Sequence, residues 1–360
     1  MLARVISEEE KDCFNSFITN HPKGHILQTW EWGELKKRSG WQPIRMIVED
    51  QGSIYAAISL LKRQLPAGAG CLFYAPRGPV LDINDSTAWD TLWQGCRDLA
   101  AKHKAIFCKI DPDVADDDIL WQQRIKAGGF VATDNGEGFE GVQPRYVFRL
   151  DISPDQETLL ANFHQKTRYN LRLAERKGVT VVPAVPQTEL PVFYQLLQET
   201  AQRDNFLIRP FAYYQDFYEL LVPQGLAQMF LVYYQDKAIA GSLAFKLGDK
   251  AWYIYGASAN EYRNVMPNYL MQWRMIQWAK QHGCTMYDFR GVPGDVDEDH
   301  PLYGLVKFKR GFGGDYIKFI GEYDLIYRPV VYKMYNTFEP LYQKWVRKLI
   351  HAKKRLRGRG

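Results

Sequence analysis

The chain has 360 residues, of which 46% are hydrophobic and 24% charged, and its formal net charge is +5. This composition is typical of a globular protein and excludes collagen-like, low-complexity and disordered chains. The length is sufficient for two domains, and no run of about 18 uncharged apolar residues predicts a membrane-spanning helix.

The N-terminal residues and the cysteines predict a cytoplasmic protein. The N-terminal residues are acidic and lack the apolar stretch of a secretory signal. Five scattered cysteines form neither a CxxC pair nor a cluster with histidine. Such a set fits reduced thiols, so we expect no structural zinc and no other bound metal.

Hydrophobic periodicity and turn residues predict alternating helices and strands over the first 150 residues. The first helix is predicted over 29–38, because Gly40 can terminate it. The elements predicted after it are strands at 44–49, 54–61 and 71–75, a helix at 87–102, a strand at 105–110, a helix at 116–127 and a strand at 146–150.

A second set of elements follows. Pro154 lies in the first turn of a long predicted helix that ends at Gly178. A single last strand is predicted over 316–322, with helix after it. The elements predicted between these are helices at 189–203 and 213–221, strands at 229–234, 238–246 and 251–257, a helix at 268–282 and a strand at 285–289.

The two halves of the chain resemble each other. Residues 47–59 align with residues 231–243 at a constant offset of 184, and both segments have a strand–turn–strand pattern. In each half, meander strands are followed by a helix and another strand, an order that resembles the N-acetyltransferase-like (GNAT) fold. The sequence therefore predicts a duplicated α/β domain.

The sequence argues against an acetyl-CoA site on this fold. Such a site binds pyrophosphate on backbone N–H groups at a helix N-terminus, after a glycine-rich turn. The corresponding segment, 263–268, has Arg263 but no glycine, and Pro267 lacks an N–H. In the first half, Arg77 and Gly78 are again followed by proline. We therefore expect the fold without this cofactor site.

Short motifs occur in a specific order along nearly the whole chain. They are Gln28-Thr29-Trp30 with Gly33 and Lys36; Gly40-Trp41; Tyr74 to Pro79; Ile110-Asp111-Pro112; Tyr169 to Arg172 with Ala174, Lys177 and Gly178; Thr200, Arg203, Phe206, Arg209 and Tyr213; Tyr287-Asp288-Phe289 with Gly291; and Phe308-Lys309 with Gly311 to Gly314. In this order the motifs resemble those of the Fem transferases, which use aminoacyl-tRNA to build peptidoglycan cross-bridges.

The resemblance implies an α/β (α+β) fold of two tandem GNAT-like domains, with mixed sheets flanked by helices. It also implies that the C-terminal segment returns to the first domain. Longer family members carry a helical-hairpin arm for which this chain has no room, so it resembles the compact type. The domains are expected at 1–150, joined by about 320–345 from the C-terminus, and at 151–319, with a basic tail at 346–360.

The reaction implied by the resemblance is aminolysis of an ester. An amine on the stem peptide of a peptidoglycan precursor, either lipid II or UDP-MurNAc-pentapeptide, attacks the α-carbonyl of an aminoacyl-tRNA. Because the ester is already activated, positioning supplies much of the acceleration. The resemblance also implies aminoacyl-tRNA as co-substrate, no further cofactor, and a monomeric enzyme.

Three residues are candidates for binding the phosphates of the precursor. Compact family members use a Lys and an Arg–Tyr pair at the matching motif positions, which here are Lys36, Arg209 and Tyr213. Arg binds phosphate through a bidentate fork, and Lys binds it as a point charge. The alternatives are that Lys36 is a solvated surface lysine and that Arg209 pairs with a nearby acid such as Asp204.

The remaining candidates lie in the motifs and at strand ends. Lys309, which follows Phe308, is expected at the reacting carbonyl and the tRNA 3′ end, where a cation stabilises negative charge. Asp111 follows a strand and is expected to pair with the attacking ammonium or to accept its proton. Tyr255 and Arg77 are expected to bind substrate. The alternatives are that Lys309 is a loop lysine, that Asp111 caps a turn and that Tyr255 packs inside the protein.

Two basic segments are candidates for binding polyanions. Arg168, Arg172 and Arg176 share one helix face at a spacing of four, which fits either a tRNA backbone or a solvated face. Residues 344–360 contain eight Lys or Arg and no acid, so the rest of the chain is net negative. With Trp345 and leucines at helical spacing, this tail fits either peripheral contact with the anionic inner membrane surface or a solvated terminus.

Three functions remain open from the sequence. The main hypothesis is a tRNA-dependent aminoacyltransferase that forms interpeptide bridges. The second is a GNAT-type N-acyltransferase that uses acyl-CoA, and the third is a non-catalytic scaffold that binds membrane and RNA. The chain has no P-loop, HExxH or GxSxG motif, which disfavours the chemistries that depend on them.

Overall fold

The structure is a computed structural model in which residues 1–133 and 141–339 are described. The basic tail predicted over 346–360 lies outside these residues. The first half contains the predicted elements together with short ones that the periodicity did not reveal. Its elements are β1 (Leu2–Val5), α1 (Lys11–Asn20), α2 (Trp30–Lys37), β2 (Gln42–Asp50), β3 (Ser53–Gln64), β4 (Cys71–Ala75), β5 (Val80–Leu81), α3 (Ser86–His103), β6 (Ala105–Ile110), α4 (Ile119–Ala127) and β7 (Phe130–Ala132).

The second half repeats this alternation of helices and strands. None of the described helices is both long and apolar enough to cross a membrane. The elements are β8 (Tyr146–Asp151), α5 (Gln156–Asn162), α6 (Gln165–Arg176), β9 (Thr180–Pro183), α7 (Pro186–Arg203), α8 (Phe211–Leu221), β10 (Ala227–Tyr234), β11 (Lys237–Leu247), β12 (Lys250–Ser258), α9 (Pro267–Gln281), β13 (Met286–Val292), α10 (Tyr303–Arg310), β14 (Asp315–Lys318), β15 (Tyr323–Ile326) and α11, described over 329–339.

Four of the described helices begin at a Thr or Asp side chain that accepts a hydrogen bond from the first helical turn. The Thr29 hydroxyl accepts from the Trp32 N–H at the start of α2. Asp85, Asp118 and Asp155 accept in the same way at the starts of α3, α4 and α5. These N-caps satisfy backbone donors that have no partner inside the helix, and they therefore fix where each helix begins.

The helices flank two mixed sheets of similar design. In the described residues, the first sheet has the strand order β1-β2-β3-β4-β6-β15-β7, with β5 paired to β3. The second has the order β14-β8-β13-β12-β11-β10-β9. Among the described strands, each sheet has one parallel pair, β4 with β6 and β12 with β13, and its other pairs are antiparallel. The mixed α/β class predicted from the sequence is confirmed.

The internal repeat extends to the backbone of the two long hairpins. The register shifts after Val48 in the β2–β3 pair and after Val232 in the β10–β11 pair, which are aligned positions. The turns also match, because Gln51 and Gln235 have φ angles of 47° and 48°. The sequence similarity at an offset of 184 therefore reflects a shared hairpin geometry.

The long helix predicted from Pro154 to Gly178 is wrong. The structure has two helices, since Phe163 ends α5 in an extended conformation and the His164 side chain accepts from the Lys166 N–H at the start of α6. The break directs Phe163, which is 1% exposed, into the core of the second half. A tertiary contact therefore overrides the local helical pattern.

The single strand predicted over 316–322 is also wrong. Gly321, with a φ of 93°, separates β14 from β15, and the two strands join different sheets. β15 returns to the first sheet between β6 and β7, whereas β14 pairs with β8. Because β8 pairs only with strands of the second sheet among the described residues, the boundary expected at residue 150 falls inside a strand of the second half.

One hydrophobic core spans the two halves. Its first-half members include Trp30 and Trp32, and its second-half members include Phe217 and Phe245. The rings of Trp32 and Phe245 meet edge to face with their centres 6.0 Å apart. Burial of these large aromatic surfaces stabilises the contact between the halves and holds α2 against α8.

A buried ion triad also joins the halves. Arg149 on β8 donates to Asp113, which follows β6 in the first half, and to Asp288 on β13 at 3.0 Å. Burial alone would raise the pKa of Asp113, but the charge of Arg149 holds this pKa well below its ordinary range. The guanidinium is therefore shared between carboxylates from the two halves.

Replacing Arg149 by methionine should lower the free energy of unfolding by about 3–5 kcal/mol, because two buried carboxylates lose their partner. The stability that Asp113 contributes in wild type should be lost progressively as the pH falls below about 4, because the unfolded chain then takes up a proton at this carboxylate while Arg149 keeps it ionised in the folded protein. Urea unfolding at several pH values measures both effects.

The matched control is Arg274→Met, which breaks the exposed Arg274–Glu175 pair at 3.5 Å. This change should cost less than about 1 kcal/mol. A cost for Arg149→Met as small as that of the control would contradict the assigned role of the triad.

Candidate functional site

Helices from the two halves bring together four of the predicted substrate-binding residues. Lys36 lies in the last turn of α2, and its Nζ donates to the Tyr213 hydroxyl on α8 at 3.1 Å. The Tyr255 hydroxyl, from β12, donates to the same oxygen at 3.4 Å. The Arg209 guanidinium lies 5.7 Å from the centre of the Tyr213 ring. These four residues are termed the cation–tyrosine cluster.

The cluster is buried at its base and open at its rim. Tyr213 is only 4% exposed, and the Lys36 Nζ lies 4.3 Å from the centre of the Trp32 ring. Arg209 lies just before α8 and is exposed. The cluster is therefore open to solvent on the Arg209 side.

Neither cation of the cluster forms an ion pair with a carboxylate of the described residues. Burial, together with the nearby charge of Arg209, lowers the pKa of Lys36 to about 7. Asp204, the alternative partner of Arg209, pairs with Arg203 instead. The solvated lysine of this turn is Lys37, whose side chain is 66% exposed. Uncompensated cations at a partly buried site favour an anionic ligand.

Arg290, which the sequence analysis missed, extends the positive region along β13. Its guanidinium donates to Gln143 Oε1 at 2.7 Å and forms no ion pair with a described side chain. Burial raises the pKa of Tyr255, and the charges of Arg209 and Arg290 oppose that shift. Arg290 has a left-handed φ of 60°, and its N–H donates to Asp288 Oδ1 at 2.6 Å. A non-glycine residue in this conformation is strained, which is common at functional sites.

Lys309 lies in the last turn of α10, rather than in a loop, and is 4% exposed. Its Nζ donates to the carbonyl oxygens of Arg290 and Gly291 at 3.1 and 2.7 Å. Burial lowers the pKa of Lys309 to about 7, against the opposing charge of Asp288. Lys309 thus fixes the strand segment that carries Arg290. The third N–H of its ammonium has no hydrogen-bond partner in the described part of the chain.

Phe308, the predicted partner of Lys309, packs into an aromatic group. Its ring meets Tyr269 and Phe312 edge to face, with centre distances of 4.9 and 5.4 Å. The side chain is half-buried at the margin of the second-half core. These are packing contacts, and a role at the reacting carbonyl stays a prediction.

Asp111 and Arg77 form a buried turn that is linked to Arg290 through Gln143, whose Nε2 donates to the Tyr74 hydroxyl at 3.4 Å and whose Oε1 accepts from Arg290. The Tyr74 hydroxyl and the Arg77 N–H each donate to an Asp111 carboxylate oxygen at 2.6 Å. The Arg77 guanidinium donates to the carbonyl oxygens of Asp111 and Pro144 and lies over the Phe319 ring. Burial raises the pKa of Asp111 to about 6, although the charge of Arg77 opposes this. The turn-capping alternative therefore accounts for these contacts, and proton transfer by Asp111 and substrate binding by Arg77 stay predictions.

The arginine stripe lies on α6. Arg172 and Arg176 are exposed, whereas Arg168 is half-buried and donates to backbone carbonyls at the end of α5. The first turn of α6 abuts the end of α10, because the His164 N–H donates to the Gly311 carbonyl at 2.9 Å. Two exposed arginines therefore lie on the helix that begins beside α10.

The residues at the start of α9 do not suit an acyl-CoA pyrophosphate. Met266 adopts a φ of 58°, and Pro267 occupies the first helical position, where it supplies no N–H. In the first half, a Cβ added to Gly78 would lie 2.6 Å from the Gln28 side chain, so this glycine permits a packing contact. Among the described residues, no group of three or more His, Cys, Asp or Glu is arranged to hold a metal ion.

The chain matches known proteins over most of its length. The model of the FemAB family matches residues 7–233 and 222–340. The lipid II:glycine glycyltransferase of Staphylococcus saprophyticus is 30% identical over 392 aligned residues, which cover 91% of this chain and 94% of that protein. The Staphylococcus aureus protein of the same name is 30% identical over 406 residues, covering 93% and 95%. Both alignments are longer than this chain, so these relatives carry residues that it lacks.

Solved structures agree with these matches. A crystal structure of FemX is 29% identical, has a TM-score of 0.86 and covers 93% of this chain and 99% of its own. A tandem GNAT protein from the clavulanic acid biosynthesis pathway shares the fold, at 13% identity and a TM-score of 0.53, covering 90% and 98%. The two GNAT-like units predicted from the sequence are thereby confirmed. The chain belongs to the FemAB family, and it is an acyltransferase of that family.

Proposed function

We propose that the protein transfers an amino acid from aminoacyl-tRNA to the stem-peptide amine of a peptidoglycan precursor. The relatives are named for glycyl transfer to lipid II, which supports a lipid-linked acceptor. The observation that carries the proposal is the convergence of Lys36, Arg209 and Tyr255 on Tyr213, with no described carboxylate paired to either cation. The diphosphate of such a precursor supplies the negative charge that the described residues do not provide.

The proposed reaction forms one amide and breaks one ester. The amine nitrogen attacks the ester carbonyl carbon, the bond from that carbon to the tRNA ribose oxygen breaks, and the nitrogen loses a proton while the ribose oxygen gains one. Aminoacyl-tRNA is the co-substrate, the step requires no further cofactor, and the enzyme acts as a monomer. Because the ester is already activated, the tasks of the protein are positioning and stabilisation of the oxyanion.

The cation–tyrosine cluster is proposed to bind the diphosphate. Arg209, at the exposed rim, suits a bidentate contact, and Lys36 supplies a point charge deeper in the cluster. In the free protein, burial and the charge of Arg209 leave Lys36 partly unprotonated near neutral pH. A bound anion favours the ammonium form, so binding is expected to take up a proton.

Lys309 and the exposed face of α6 are proposed to serve the aminoacyl-tRNA. The remaining N–H of Lys309 is suited to negative charge that develops on the carbonyl oxygen. Arg172 and Arg176 provide positive charge for the RNA backbone. The contact between the end of α10 and the start of α6 supports one continuous site for both parts of the tRNA.

Replacing Lys36 by methionine should weaken binding of UDP-MurNAc-pentapeptide by about 10- to 100-fold, because a charged contact is lost. Wild-type affinity should fall as the pH rises from about 7 to about 9, because Lys36 must regain its proton to bind the anion. Binding in this pH range should therefore take up a proton. Titration calorimetry in buffers of different ionisation enthalpy measures both effects.

The control is Lys37→Met, which removes the neighbouring exposed lysine and should change the affinity by less than about twofold. The Lys36→Met variant should lose the pH dependence. A variant that keeps the wild-type pH profile would show that another group titrates.

Replacing Lys309 by methionine should lower kcat by about 100-fold or more while precursor affinity is unchanged, because the contact is made only as the carbonyl oxygen becomes negative. The matched control is Lys307→Met, which removes an exposed lysine of the same helix. Thermal unfolding of both variants separates a folding defect from a catalytic one. Equal losses of kcat and precursor affinity in a folded Lys309→Met protein would refute this role.

Mass spectrometry of one reaction tests the function as a whole. Purified protein, mixed aminoacyl-tRNAs and lipid II should give a precursor heavier by one amino-acid residue, and RNase treatment of the tRNA should abolish the gain. A gain that survives RNase would contradict the tRNA donor. Acetylation from acetyl-CoA would support the GNAT-type alternative, and no transfer from any donor would support the scaffold.

A further inference from the structure

The helix α11 has one face packed against the first sheet. Tyr332 and Tyr335 pack on Phe107, with ring centres 5.3 and 5.5 Å apart. The Tyr332 hydroxyl also donates to Asp324 on β15 at 2.8 Å. These contacts fix how the helix is rotated about its axis, and hence which side chains point away from the protein.

The opposite face of α11 is apolar and exposed. Val330, Met334 and Phe338 follow each other at a spacing of four, so they form one row along the helix. Their exposed fractions are 77%, 55% and 61%. Single exposed apolar residues are ordinary, but an aligned row of three large ones indicates an interaction surface. This row is termed the apolar face of α11.

Exposed cations surround the base of α11. Arg328 precedes the helix and donates to the Ala69 carbonyl at 3.2 Å, close to Lys104, whose carbonyl accepts from the Cys71 N–H. Lys333 is exposed on the helix itself. Burial and the negative charge of Glu339 raise the pKa of Tyr335 to about 12, and the positive charge of the exposed Arg63 opposes this rise. The described part of this segment therefore carries two exposed cations next to the apolar face, Arg328 before the helix and Lys333 within it.

The sequence that follows the described part of α11 strengthens this charge. Residues 344–360 contribute eight Lys or Arg and no acid, together with Trp345 and Leu349. A second copy of this chain would carry the same charge and be repelled. RNA would match the charge, but its phosphate backbone would make no favourable contact with a row of mostly aliphatic side chains. An anionic lipid surface satisfies both the apolar row and the cations.

We propose that the apolar face of α11 docks the protein on an anionic lipid bilayer. Val330, Met334 and Phe338 enter the interfacial layer, while the exposed Arg328 and Lys333 contact the headgroups. The inference does not depend on the proposed transfer reaction. If the acceptor is lipid-linked, the docked helix keeps the enzyme at the surface where that acceptor lies.

Vesicle co-sedimentation of the full chain tests the proposal. The protein should bind vesicles with about 30 mol% phosphatidylglycerol, bind poorly to pure phosphatidylcholine, and be weakened by about 0.5 M salt. The triple variant Val330→Ser/Met334→Ser/Phe338→Ser should bind the anionic vesicles about tenfold more weakly or worse. Because these side chains are exposed, its thermal unfolding should match that of wild type.

The control is the double variant Ile119→Ser/Val185→Ser, which removes apolar side chains that are 60% and 58% exposed elsewhere. Its vesicle affinity should equal that of wild type. Anionic vesicles should shift the tryptophan emission of Phe338→Trp further to the blue than that of wild type, which already contains ten tryptophans. Transfer to soluble UDP-MurNAc-pentapeptide by the triple variant should stay at the wild-type level, which separates docking from the active site.

Three results would overturn the proposal. Wild-type protein that does not bind anionic vesicles would exclude a lipid surface. Equal vesicle binding by the triple variant would assign binding to the cations alone. A wild-type dimer that the triple variant converts to a monomer, without a change in vesicle binding, would identify a second copy as the occupant of the face.

Discussion

The contact between α2 and α8 is the constraint on which the candidate site depends. Lys36 comes from the first half and Tyr213 from the second, so neither half alone contains the cation–tyrosine cluster. The joint core, with Trp32 against Phe245, holds the two helices together. Arg149 adds a directional constraint, because another arrangement of the halves would leave a buried carboxylate without its partner.

Burial without a built-in counter-charge explains the electrostatics of the site. The pKa values of Lys36 and Lys309 fall to about 7 because a charge loses solvation when it is buried. Asp113 shows the opposite behaviour, since Arg149 provides the compensating charge inside the fold. The cluster has no such partner among the described residues. Its unsatisfied positive charge is therefore available to a ligand rather than to the fold.

The two halves share a GNAT-like scaffold, and the start of α9 differs from a pyrophosphate-binding helix N-terminus. The hairpins keep the same register shift after Val48 and Val232, and each sheet keeps one parallel pair. At the start of α9, however, Pro267 removes an N–H that a bound pyrophosphate would use. Fusion of the halves through a common core places the candidate site between the two units. The second unit contributes the tyrosines, and the first contributes a lysine.

The sequence by itself determined the local elements and the repeat, and it predicted several residues that the structure brings together. Periodicity, caps and turns depend on neighbours within a few positions, and the motif order identified Lys36, Arg209 and Tyr213. The tertiary structure alone decided the break at Phe163, the contact of Arg290 with Gln143 and the exposed face of α11. These features arise from packing between residues that are distant in the chain, and a local pattern carries no information about which distant side chains meet.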